Sequence, residues 1–464
     1  MNEGEIMQRT TVHETWSSRT VFLLAAIGSA VGLGNIQRFP QMVGENGGGA
    51  FVLIYLICVF VIGVPLLMAE LMIGRRGRQS AITTMRLVAV EEGHSPRWTY
   101  LGWLGVLIAF FVLTFYSVIA GWGLDYMVKS LVGQFAGLDA ARSNALFNGL
   151  LADPLRLAFW HAVFIGLSVF VVARGVHKGL EAAVNILMPM LFIILLGLVG
   201  YAMVKGDFMA GVNFLFAPDF SKITGKVIML AVGQSFFTLT LGAGAMMTYG
   251  AYLPQNVSIP RAVSIIALSD TAVALLAGLA LFPIVFAFGL DPNSGSGLAF
   301  VTLPVAFGQM TGGTIVGALF FMLLVIAALT SIIATLEPLV AWGEEHRGFK
   351  RSTTAIVAGI IAWVLGTGTV FSFNIWKGFY PLGWVPGLEG KTIFGLMDFL
   401  TITIALPISG FLIAIFAGWR MRQSSSREEL GLAEGLLYKT WLFLVRIVAP
   451  LALIAVFFGG LFSS

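Results

Sequence analysis

The stretch AAIGSAVGLGNIQRFP, residues 25–40, decides the architecture. It lies in the first long apolar run of the chain, where one uninterrupted membrane helix would be expected. Instead, Gly32-Leu33-Gly34 falls near its middle, with Asn35 directly after. A later run, VGQSFFTLTLGAGAMMTYGAY at 232–252, repeats the device with Gly242-Ala243-Gly244 and polar residues beside it. In hydrocarbon, each backbone group released from helical pairing costs several kcal/mol, so such a break persists only where it lines a cavity. Close packing of helices on small residues is the alternative for either run alone. Two runs broken alike point to a cavity shared between them.

The rest of the chain agrees with a bilayer setting. Of its 464 residues 58% are hydrophobic and 11% charged, and the mean hydropathy is +0.91. Soluble domains carry roughly 25% charged residues, so no soluble fold could hide this much apolar surface. Charge is confined to short clusters, separated by apolar stretches of about 20 residues, the length of a membrane helix. The first run follows a polar segment without a small-residue cleavage site, which marks a helix and not a removed signal. The single cysteine, Cys58, forms no internal disulfide, and five His residues supply no metal cluster. The net charge of +4 suggests nucleic acid in a soluble protein. Here it records basic loops on one side of a membrane.

Eleven apolar spans are expected, at about 21–42, 50–73, 98–127, 157–173, 180–203, 226–252, 262–289, 313–342, 353–372, 392–419 and 438–461. The run GSGLAFVTLPVAFGQM at 295–310 reads as a short re-entrant or interfacial helix, not a crossing. Lys and Arg fall seventeen to one set of loops and eight to the other. That bias puts the N-terminus in the cytoplasm and, after eleven crossings, the C-terminus outside. The broken runs are spans one and six, the first members of two five-span halves. Matching interruptions in two halves point to an inverted-repeat secondary transporter with a midplane site. The chain then divides into a cytoplasmic segment (1–15), a first repeat (16–204), an external loop (205–225), a second repeat (226–419) and a cytoplasmic loop with the last span (420–464).

These motifs resemble a known family. AVGLGNIQRFP followed by GENGGGAF (44–51), the glycine-broken 232–252 stretch and AALTSIIATLEP (327–338) are similar to the first, sixth and eighth helices of the neurotransmitter:sodium symporters, bacterial amino-acid branch. The resemblance runs from about Trp16 to Trp419. It implies an all-α membrane fold of the leucine-transporter type, alternating access, no enzymatic activity, no organic cofactor and a place in the bacterial cytoplasmic membrane. It also implies two sodium sites and one substrate site. Sodium, a hard cation, selects oxygen donors. The first set is the Ala30 carbonyl with Asn35, Thr238 and Asp270; the second is the carbonyls of Gly28, Val31 and Ala327 with the hydroxyls of Thr330 and Ser331. Adjacent Thr-Ser in a membrane helix also reads as a pair bonded to the preceding turn.

Asp270 is the most informative residue, because a carboxylate at membrane depth is by default functional. Chloride-dependent relatives have Asn at the matching position and bind an anion among groups that correspond here to Tyr55, Gln234 and Thr238. A carboxylate brings its own charge, so chloride independence is expected; Ser269 is the alternative in that role. Arg38 and Asp398 match the outer gate pair. At the inner gate the family's usual Arg before Trp16 is missing. His13, with Tyr252 and Glu344 or Glu345, takes its place, or else Arg9 or Arg19 does. For Glu70 and Glu337, beneath the site, structural and proton-carrying roles both stand.

Gly32 occupies the position where monoamine carriers of the family place an Asp. With glycine there, the first sodium needs a carboxylate from the substrate, held by the amides near Leu33 and Gly34 and by the Tyr116 hydroxyl. The carbonyls of Ala30, Phe237 and Thr240 would take the ammonium group. Val112, Tyr116, Phe237, Ala243, Ser331 and Thr335 would line the side-chain pocket, and the small Ala243 favours an apolar or aromatic amino acid. Tyr116 and Phe237 also read as plain core. Glycine or another small solute is the alternative substrate, and a substrate-sensing receptor on the same fold the alternative function. Partners are the amino acid, sodium and the lipid bilayer, with no nucleic acid.

Overall fold

A computed structural model describes residues 14–295 and 297–462. His13 lies outside the described residues. Among them the secondary structure is helical, with no strand. Among the described residues nine helices are long and apolar enough to cross a membrane: Gly49–Gly77, Pro96–Leu131, Pro154–Ala173, Val176–Lys205, Ile259–Ala287, Gly313–His346, Arg351–Ser372, Ile393–Arg420 and Leu436–Gly460. The first span is a bent pair, Arg19–Ala30 and Gly34–Glu45, whose two parts differ in direction by 51°. The sixth is divided into Gly225–Thr238 and Ala245–Ala251, each too short to cross alone. These segments coincide with the eleven expected spans. The 295–310 run folds as the short apolar helix Leu298–Gln309, and most of its side chains are buried.

Local chemistry sets the helix starts. Ser18, Asp153 and Thr224 each accept a hydrogen bond from the backbone N–H three residues on, which satisfies one of the four unpaired donors at a helix N-terminus. Between spans, small residues set the spacing. A Cβ added at Gly74 would stand 2.0 Å from the Met247 carbonyl oxygen, and one at Gly250 would stand 2.6 Å from that of Leu71. Spans two and six therefore touch backbone to backbone, as small-residue interfaces in membranes allow. Spans three and eight lie side by side, with Trp103 edge-on to Trp342 at 4.8 Å between ring centres. The two broken spans touch each other at their breaks, where Gln234 and Thr240 of span six donate to Gly34 O and Ser29 O of span one.

Candidate functional site

The site follows from where the freed backbone groups go. In an unbroken helix the Gly32 N–H would bond to Gly28 O and the Leu33 N–H to Ser29 O. Instead, Gly32 N–H donates to Asn35 Oδ1 at 3.0 Å and Leu33 N–H donates to Tyr116 Oη at 2.7 Å. The carbonyls so released turn toward span eight. Ser331 Oγ stands 3.5 Å from Gly28 O, 3.2 Å from Ser29 O and 3.3 Å from Val31 O. One hydroxyl proton cannot satisfy three carbonyls, so lone pairs remain directed at the same small space. Thr330 Oγ1 lies next to it on span eight, 3.1 Å from Ala327 O. The five residues of the second expected ion set are thus drawn from two elements that meet at the break. Thr330 does back-bond to its own preceding turn, as the bland reading anticipated.

The first expected ion set is knit by hydrogen bonds. Asn35 Nδ2 donates to Asp270 Oδ1 at 2.7 Å, to Asp270 O at 3.1 Å and to Thr238 Oγ1 at 3.0 Å. Thr238 Oγ1 donates in turn to Asp270 Oδ2 at 3.0 Å. All three side chains are fully buried. Gln234 Nε2 donates to Gly34 O at 2.9 Å, while its Oε1 has no hydrogen-bond partner among the described residues. The Tyr55 hydroxyl faces Asp270, Thr238 and Thr271 without closing a well-formed hydrogen bond. Buried polar atoms left so are rare and call for an explanation.

Span six is broken differently from span one. Thr240 adopts φ +54°, Gly242 +80° and Gly244 +71°. A positive φ in a β-branched residue such as Thr240 is strained by ~1–3 kcal/mol and persists only when its surroundings impose it. They do so here: Thr240 Oγ1 donates to Ser29 O at 2.9 Å, Gly242 N–H donates to Glu70 Oε1 at 2.6 Å, and Ser409 Oγ donates to Gly242 O at 2.7 Å. Glu70 therefore braces the break. Glu337 sits elsewhere, buried between Tyr252 Oη, which donates to it at 2.8 Å, and Arg351, whose guanidinium also pairs with Glu344.

Between the two breaks and spans three, eight and ten lies a cavity. Its lining includes Ala30, Gly32, Gly34, Val112, Tyr116, Phe237, Thr238, Thr240, Ala243, Ser331 and Thr335, all named from the sequence. Leu33 does not line it; its amide reaches the site only through Tyr116. Because Tyr116 Oη already accepts from Leu33, its proton is available for a ligand oxygen. Sequence reasoning missed Leu241 and Leu406. Leu406 carries no polar marker within an apolar span, and its only local signal is the Pro407 that follows.

The expected gates are arranged unequally. Arg38 lies over the Phe237 ring, 4.6 Å from its centre. It is within electrostatic reach of Asp398, but the two form no salt bridge. At the other end, Trp16 N–H donates to Tyr252 O at 3.2 Å and its indole N–H to Tyr249 O at 3.3 Å. The Glu345 carboxylate, expected to serve this gate, accepts from Ser80 Oγ at 2.5 Å and Thr83 Oγ1 at 2.8 Å. It thereby holds the start of helix Ala81–Glu91.

Comparison with known proteins bears on the whole chain. It matches the sodium:neurotransmitter symporter family over residues 13–145 and 147–461. It is 39% identical to an uncharacterized sodium-dependent transporter of Bacillus subtilis, over 95% of this chain and 96% of that one. A second uncharacterized sodium-dependent transporter, from Haemophilus influenzae, is 32% identical over 97% and 98%. Among solved structures, that of MhsT in complex with L-phenylalanine superposes with a TM-score of 0.87 at 40% identity, over 97% of this chain and all of that one. Two interrupted spans around one buried, oxygen-lined cavity, in a sequence matched from end to end, identify the chain as a member of the sodium:neurotransmitter symporter family, a sodium-dependent membrane transporter and not an enzyme.

Proposed function

We infer that the chain carries a neutral amino acid, apolar or aromatic in its side chain, into the cell together with two sodium ions. The observation that carries this reading is the pairing of Gly32 with the donor sets around it. A Cβ at position 32 would stand 2.5 Å from Ser331 Oγ and 2.6 Å from Tyr116 Oη, so no acidic side chain is accommodated there. A second anionic oxygen for the first cation, beside that of Asp270, then comes from the carboxylate of the substrate, met by the Tyr116 hydroxyl and by the backbone at Gly34, which lines the cavity. Asn35, Thr238, Asp270 and the Ala30 carbonyl hold the first sodium. Gly28, Val31, Ala327, Thr330 and Ser331 hold the second. Arg38, Asp398 and Phe237 close the outer side; Trp16, Tyr252, Glu345 and His13 close the inner side, with the N-terminus in the cytoplasm of a bacterial cell. L-phenylalanine bound to MhsT supports an amino acid as cargo.

Sodium-driven uptake in proteoliposomes tests this. Accumulation of a neutral amino acid should require a sodium gradient, and uptake that persists when choline replaces sodium overturns the reading. Side-chain size is checked separately at Ala243, which is buried at the pocket wall. Ala243→Phe should raise the KM of phenylalanine or tryptophan by at least ~10-fold while that of alanine changes little, since filling an apolar pocket discriminates by tens of fold. Equal losses for large and small substrates would remove Ala243 from the pocket.

A further inference from the structure

Behind the wall that Phe237 and Leu406 give to the candidate pocket lies a second, small cavity between spans six, ten and eleven. The two cavities share those two residues and no others. No polar side chain lines the second one, so it offers water no partners. Protein interiors are otherwise packed to the density of organic crystals, so a void beside a binding pocket is a space that another arrangement can fill. Its floor includes Gly233, well inside helix Gly225–Thr238, where an added Cβ would meet nothing within 4 Å. The shared wall is also built to move. Leu406 stands where the π-helical turn Phe399–Ala405 gives way to helix Leu406–Ile415, and Pro407 follows it. Backbone pairing is loosened at such a junction, both by the wide turn and by the N–H that proline lacks.

We propose that the second cavity is the room into which Leu406 and the Phe237 ring give way when a bulky apolar side chain enters the site, which makes Gly233 a size-determining residue of the carrier. The inference rests on the amino-acid reading above and names what that reading leaves open: bulky aromatic substrates are admitted by displacement of the wall, small ones without it. A side chain at position 233 would occupy the space the wall needs. Neither Ala243 nor Thr335 reports on this, because both face the first cavity only.

The test uses the full chain in proteoliposomes under a sodium gradient, with alanine and tryptophan as substrates. Gly233→Leu should raise the KM of tryptophan by ~10-fold or more, with alanine uptake within ~2-fold of wild type. Gly233→Ala should shift the tryptophan-to-alanine ratio in the same direction by less. Leu406→Ala, which joins the two cavities, should shift the ratio the opposite way, toward tryptophan. Alanine uptake is the control for folding; if Gly233→Leu loses it, the ratio measured for Gly233→Ala decides, since one methyl group enters open space. Tryptophan and alanine responding alike, or neither responding, overturns the proposal, and a cavity that merely holds a lipid tail would give that result. A wild-type chain that takes up no neutral amino acid with sodium overturns the function proposed above instead, and that measurement precedes the variants.

Discussion

Asp270→Asn should abolish sodium-driven uptake in gluconate buffer, by ~100-fold or more, and should recover part of it when chloride is added. Asn has nearly the same shape and can still accept from Asn35 Nδ2 and Thr238 Oγ1 through its own oxygen, so the substitution removes charge and little else. Under the proposed function, two sodium ions and a zwitterion would gather net positive charge in a water-poor site. An unneutralised charge there costs several kcal/mol, and each 1.4 kcal/mol is a factor of ten. The Tyr55 hydroxyl, which closes no well-formed hydrogen bond beside Asp270, marks where a replacement anion would find a donor. Wild-type uptake should be indifferent to chloride. The measurement is initial uptake for both forms with and without the anion. A chloride requirement in the wild type, or an Asp270→Asn chain that ignores chloride, would show that this carboxylate does not supply the charge.

Gly32→Ala should be equally severe, with transport falling ~100-fold or more while the protein stays folded. The backbone at Gly32 is not in the left-handed region, so alanine is not strained by its φ angle. What stops it is space. The new methyl would overlap Ser331 Oγ and Tyr116 Oη, the two hydroxyls that reach the released carbonyls and the Leu33 amide. Neither can retreat without giving up those bonds, and misplacement of a binding group by about 1 Å costs on the order of 10²-fold. Gly28→Ala makes the useful contrast. There the closest atom is the Met188 sulfur at 2.9 Å, the end of a flexible side chain that adapts to its surroundings, so a milder loss is expected. Gly166→Ala, where nothing lies within 4 Å, should behave as wild type. Thermal stability in detergent and uptake, measured side by side for the three, separate a blocked site from a damaged fold. Near-normal transport in Gly32→Ala would mean that the close approach is not part of the working site.

Much of this was legible in the sequence because a bilayer makes polar backbone costly. A glycine-broken span with Asn35 beside it has few physical explanations, and the same holds for Asp270 in an apolar helix. The cavity lining from spans one, three, six and eight was implied by the resemblance to the symporter family. Leu241 and Leu406 were not, because an apolar side chain in an apolar span looks the same whether it faces lipid, core or ligand. Charged residues near span ends are hard to assign from sequence for a related reason. Arg351, in a basic cluster that reads as a loop signal, turns inward to Glu337. Glu345, read as a gate acid, also accepts from Ser80 and Thr83. Periodicity and charge counts place a residue along a span; they do not fix which neighbour its side chain reaches.

The break in span six has a bearing on how the chain is assembled. Its exposed amide at Gly242 is met by Glu70, made long before it, but its carbonyl waits for Ser409, which is synthesised 167 residues later. A nascent chain therefore places an irregular segment in the membrane while one of its two braces is still missing. Until span ten arrives, that carbonyl must be satisfied by water, by lipid headgroups or by a temporary neighbour. The geometry at the break is therefore completed only once span ten, which carries Ser409, is in place.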